Sequence, residues 1–70
     1  MTVQLAKEQV KRLLRDEPQA RGVGITWSRG HQCVLVNVMT GANQMVREKI
    51  RQNLPDVDFV IQEVGNINVE

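Results

Sequence analysis

The stretch from Gly22 to Val38, GVGITWSRGHQCVLVNV, constrains the fold of this chain more than any other. It reads as two extended segments of alternating polarity joined at Ser28-Arg29-Gly30-His31. In the first, Val23, Ile25 and Trp27 share one face and Gly24, Thr26 and Ser28 the other, the period of two that a half-buried strand requires. In the second, Val34, Val36 and Val38 fall together, with Cys33, Leu35 and Asn37 opposite. β-Branched side chains dominate both segments and suit a pleated surface. Arg29-Gly30 suits a short turn, because glycine takes the positive φ that tight hairpin connections demand. A lone hairpin is marginal in water, so this one needs a third strand and a layer over its apolar face.

The flanking segments supply both. Residues 2–16 are predicted to form an amphipathic helix, with Val3, Ala6, Val10, Leu13 and Leu14 at helical spacing and Lys7, Lys11 and Arg15 along the other side. Thr2 is its expected N-cap, and Glu17-Pro18 stops it near Asp16. A second helix is predicted over roughly 42–53, capped by Thr40 or Asn43, with Met45, Val46, Ile50 and Leu54 as its buried stripe and Arg47, Lys49 and Arg51 elsewhere. Leu54-Pro55-Asp56 ends it, and a third extended segment runs from Val57 to about Val64. Gly65-Asn66 breaks that segment, leaving Ile67 to Glu70 as a continuation after a bulge or a tail. The order α-β-β-α-β predicts an α+β two-layer sandwich over residues 1–70, with two helices on one face of a three-stranded sheet. The third strand runs parallel to the second, because a helix returns the chain, and either neighbour remains open to it. The expected core is Val10, Leu13, Leu14, Val23, Ile25, Val34, Val36, Val46, Ile50, Leu54, Phe59 and Ile61.

Seventy residues make one small domain. Such a chain buries about 60% of its unfolded surface. No stretch approaches the ~18–20 apolar residues of a membrane span. The single cysteine and a start without basic-then-apolar character set the expectation of a cytoplasmic, reducing setting. The formal charge of +1 conceals an asymmetry: all nine bases lie between Lys7 and Arg51, against only Glu8, Asp16, Glu17 and Glu48. The last seventeen residues hold Asp56, Asp58, Glu63 and Glu70 and no base. Two differently solvated faces account for this more simply than a polyanion-facing surface.

Little in the chain points to catalysis. His31 and Cys33 stand two residues apart on the turn and the second strand, but no third group that would orient the imidazole is apparent. The same pair lacks further ligands at metal spacing. Gly22-Val23-Gly24 leads into a strand, where a phosphate-binding glycine loop leads into a helix, so a bulge or a close backbone approach is the expected reason for it. Asp56, Asp58 and Glu63 match no cation-binding loop. No catalytic, cofactor or metal residue is therefore expected. Lys7, Lys11, Arg15, Arg47 and Arg51 are candidate contacts for a polyanion, but with one Trp, one Phe and no Tyr there is no aromatic platform for unstacked bases.

Gly22-Val23-Gly24-Ile25, Val34-Leu35-Val36-Asn37-Val38, Leu54-Pro55 and Val64-Gly65-Asn66-Ile67 together resemble a small bacterial α-β-β-α-β domain found beside trypsin-like peptidases and also alone. The element order is also similar to the BON domain, which is associated with phospholipid surfaces, although Val34 to Val38 lacks that family's central glycine. Both resemblances imply a non-catalytic module. The expected function is thus protein interaction or an accessory role, with a protein partner or a second copy of the chain docking at Cys33, Leu35 and Asn37 on the sheet face away from the helices. The alternative is nucleic-acid or phospholipid-surface binding through the basic helix faces.

Overall fold

A computed structural model describes residues 2–64 of the chain. Its elements run α1 (Val3–Leu13), β1 (Ala20–Ser28), β2 (His31–Met39), α2 (Asn43–Asn53) and β3 (Phe59–Val64). The α-β-β-α-β order stands as expected, and residues 65–70, with the expected break at Gly65-Asn66, lie outside the described residues.

The hairpin forms in the predicted register. Val23 pairs with Val36, Ile25 with Val34 and Ser28 with His31, and the ladder is antiparallel. Its two-residue loop has φ of 54° at Arg29 and 83° at Gly30, both left-handed, as a type I′ turn requires. The register shifts between Ala20 and Gly22, so the Gly22-Val23-Gly24 stretch follows a bulge, and no helix begins after it. β3 joins the free side of β2 in parallel, pairing Val34 with Phe59 and Val36 with Ile61, which settles the strand order as β1-β2-β3.

The helices lie on one face because that is where the apolar alternation points. α1 packs on β1 and β2, and α2 on β3 and β2. Between them Val34, Val36, Val38, Val10, Val46 and Ile50 are fully buried. Ala6, Leu14, Ala42 and Val57 complete the core, and Val3, Leu13, Ala20, Val23, Leu54, Phe59 and Ile61 pack around it. Glu17 and Lys49 form an ion pair at 3.5 Å that ties the chain beyond α1 to α2.

Both helices begin close to their predicted positions. At α1, Oγ1 of Thr2 accepts from the Leu5 amide at 3.1 Å, the expected cap. At α2 neither Thr40 nor Asn43 caps. The N-cap is Ala42, which makes no side-chain bond. Ala42 belongs to the core, and an apolar contact there has displaced the polar cap.

Three apolar residues are less buried than their assigned faces imply, and of these Ile25 belongs to the expected core. Trp27 is 70% exposed, Ile25 is only half-buried and lies outside the core cluster, and Met45 of α2 is exposed. Length explains Trp27, whose partner Gln32 lies beyond the row of Val34. Nine-residue strands span roughly 30 Å, whereas eleven-residue helices span roughly 16 Å. The helices therefore cover the rows of Val34, Val36 and Val38 and leave the turn end of the hairpin bare.

Candidate functional site

The described part of the molecule presents three features that bear on function: a catalytic-looking trio, an uncovered sheet face, and a basic cavity beside α2.

The trio is His31, Cys33 and Asp58. Parallel pairing of β2 with β3 sets Asp58 one residue before the Val34–Phe59 pair, next to Cys33, and the Val34 amide donates to the Asp58 carbonyl at 3.1 Å. Nε2 of His31 donates to Oδ2 of Asp58 at 2.5 Å. The orienting group missing from the linear chain is therefore present, in a loop that only the β2–β3 register brings near. The thiol is nonetheless unsuited to nucleophilic attack. Cys33 is 1% exposed, and burial, reinforced by the Asp58 carboxylate, pushes its pKa above the ordinary 9.0. An activated thiol shows the opposite: exposure and a lowered pKa. Among the described residues no group of three or more His, Cys, Asp or Glu is placed to hold a metal ion, and Asp56, Asp58 and Glu63 form no such cluster.

The uncovered face carries the side chains that alternate away from the core. Leu35 of β2 lies between Gly24 of β1 and Val60 of β3, and Asn37 between Gly22 and Gln62. Leu35, Asn37 and Val60 are half-buried. Cys33 shares this parity but is buried, so it offers no surface to a partner, contrary to the expectation for that residue. A Cβ placed on Gly24 meets nothing within 4 Å, so the floor beside Leu35 is open.

The five basic residues offered as polyanion contacts form two groups, one at each helix, as expected. Lys7 and Lys11 are on α1 and Arg15 just beyond it, over β1 and β2, whereas Arg47 and Arg51 are on α2, over β2 and β3. Arg47 and Arg51 line a cavity of about 270 Å³ together with Ser28, Arg29, His31, Asp58, Phe59 and Val60. Arg29 joins them because the hairpin turn reaches the loop that opens β3. Nε and Nη2 of Arg47 donate to Oδ1 of Asn43 at 3.2 and 3.0 Å, which holds the guanidinium. Nothing in the turn motif around Arg29 indicates this neighbourhood without the strand order.

No helix of the structure is long and apolar enough to cross a membrane. Comparison with known proteins gave no matching family model, no matching curated relative and no matching solved structure.

Proposed function

We propose that this domain is a non-catalytic interaction module that docks through its uncovered sheet face, with a second copy of the chain as the favoured partner. One observation carries the reading: Leu35 and Val60 stand side by side on the face the helices leave bare, next to the open floor at Gly24. Small domains bury too little surface to be robust alone, and covering an apolar strip adds area that the monomer lacks. An isologous contact meets this need because one patch serves both copies. The buried, high-pKa thiol of Cys33 supports the non-catalytic part of the proposal. An accessory role beside a peptidase, or on a phospholipid surface, fits such a module and stays with the resemblance that suggests it.

Sedimentation of the full chain at micromolar concentration tests the proposal. Wild type is expected as a dimer and Leu35→Lys as a folded monomer. A monomeric wild type, or a Leu35→Lys variant that still dimerises, overturns it.

A further inference from the structure

We infer that the cavity enclosed by the hairpin turn, α2 and the start of β3 binds a phosphate monoester, with Arg29, Arg47 and Arg51 supplying the charge. The site borders the docking face at Val60, which belongs to both, but its charged residues lie on the hairpin turn and α2 and the inference does not depend on docking.

The lining is unbalanced. It holds three guanidiniums and one carboxylate, Asp58, and that carboxylate already accepts from His31. Among the described residues the ion pairs are His31–Asp58 and Lys49–Glu17, so no carboxylate stands within ion-pairing distance of Arg29, Arg47 or Arg51. Asn43 holds the Arg47 guanidinium in place without cancelling its charge. The larger neighbouring cavity, about 610 Å³, shares Arg47 and Arg51 but sets Glu48 and Glu63 against them. The imbalance is therefore confined to the smaller cavity.

Arg29 makes a second, independent point. It sits at φ 54° in the turn, a left-handed conformation that favours Gly, Asn or Asp over a long side chain. Backbone held in a disfavoured region concentrates at functional sites, and here it carries a cation to the rim of the unbalanced cavity.

The chemistry selects the ligand. Guanidinium forks match phosphate oxygens in pairs, and the Ser28 hydroxyl adds a donor. A phosphate monoester is a dianion above about pH 6 and so answers three positive charges better than a carboxylate does. Phe59 and Val60 provide an apolar wall for the organic part of the ester. About 270 Å³ is close to the lower end of small-ligand pockets and admits one compact group, not a duplex. The same headgroup chemistry is available from a soluble ester or from a monoester lipid.

Amide and arginine side-chain NMR of the full chain, titrated with inorganic phosphate and with glycerol 3-phosphate, tests the inference. Saturable shifts are expected at Ser28 to His31, Arg47 and Arg51. Arg51→Gln should weaken binding about tenfold, the loss of one charge-assisted contact. Arg29→Asn should weaken binding and raise Tm together, because Asn suits the turn. Lys11→Gln, an equal loss of charge on the other helix, should leave affinity unchanged. Vesicles of phosphatidylcholine containing phosphatidic acid separate the sources: binding to these alone, lost in Arg51→Gln, assigns the cavity to a lipid-borne monoester. No binding in either arm overturns the inference. So does an affinity unchanged by Arg51→Gln or Arg29→Asn, or lowered equally by Lys11→Gln.

Discussion

Nε2 of His31 donates to Oδ2 of Asp58 at 2.5 Å, joining residues 27 apart in the chain and fastening the hairpin turn to the loop that opens β3. Both side chains are more than half exposed, so the bond itself contributes less than about 1 kcal/mol and weakens with salt. Its larger consequence is positional. It holds a carboxylate beside the buried thiol of Cys33 and on the wall of the basic cavity.

Asp58→Asn removes that negative charge while keeping the shape. The Cys33 thiol pKa should fall as a result, yet stay above 9.0, because burial is the larger cause of its elevation. His31→Ala, which leaves the carboxylate in place, should keep the thiol raised. Titration of thiolate absorbance in the ultraviolet distinguishes the three proteins. A thiol pKa that ignores Asp58→Asn removes the electrostatic link.

The same thiol makes stability depend on alkaline pH. The folded-state pKa exceeds the unfolded value near 9.0, so above that pH the unfolded chain releases its proton first. The unfolded state then binds fewer protons, and unfolding free energy falls as pH rises. This contribution is complete below pH 9.0 and is lost on the way up through the folded pKa. Urea melts across that range should show a decline that is shallower in Cys33→Ala. Parallel curves for the two proteins would show that Cys33 ionises equally in both states.

Ile50 and Trp27 offer a direct comparison of depth. Ile50 is fully buried between α2 and the sheet, and Ile50→Ala should cost about 2–5 kcal/mol. That matches the roughly 3–5 kcal/mol a core of this size supplies, so the variant should be largely unfolded. Trp27, at 70% exposure, should cost within about 0.5 kcal/mol when replaced by Ala. Circular dichroism and urea melts check both. A cooperative Ile50→Ala melt near wild type would mean that α2 is not packed on Val34, Val36 and Val38.

Periodicity made the elements legible, and the exceptions lie in what it does not carry. A period of two assigns a residue to a face but carries no information about how far along the strand the covering layer extends. Trp27 shares parity with Val23, and only the shorter helices leave it bare. Parity likewise placed Cys33 outward, where it is nonetheless buried. Asp58 and the gathering of Arg29 with Arg47 and Arg51 depend on β3 lying beside β2, a choice open in the linear chain. At Ala42 packing overrode capping chemistry, which local sequence rules weigh alone.

Gly24 offers the sharpest test of the uncovered face. It pairs with Leu35, its φ is not in the left-handed region, and a Cβ there meets nothing within 4 Å. Within the monomer the Cβ of a valine is therefore accommodated, and the substitution relieves the cost of glycine in a strand, roughly 0.5–1 kcal/mol relative to alanine. Between two docked copies the same valine fills the floor beside Leu35 and holds the Leu35–Val60 strips apart. Gly24→Val should thus melt higher than wild type and sediment as a monomer. The two effects oppose each other if stability comes mainly from association, so the melts belong at a concentration where wild type is dissociated. A Gly24→Val protein that still dimerises would move the interface to a sheet edge, where unpaired backbone recruits partners without regard to the face. One that melts lower than wild type would mean that the Gly24 site is not open.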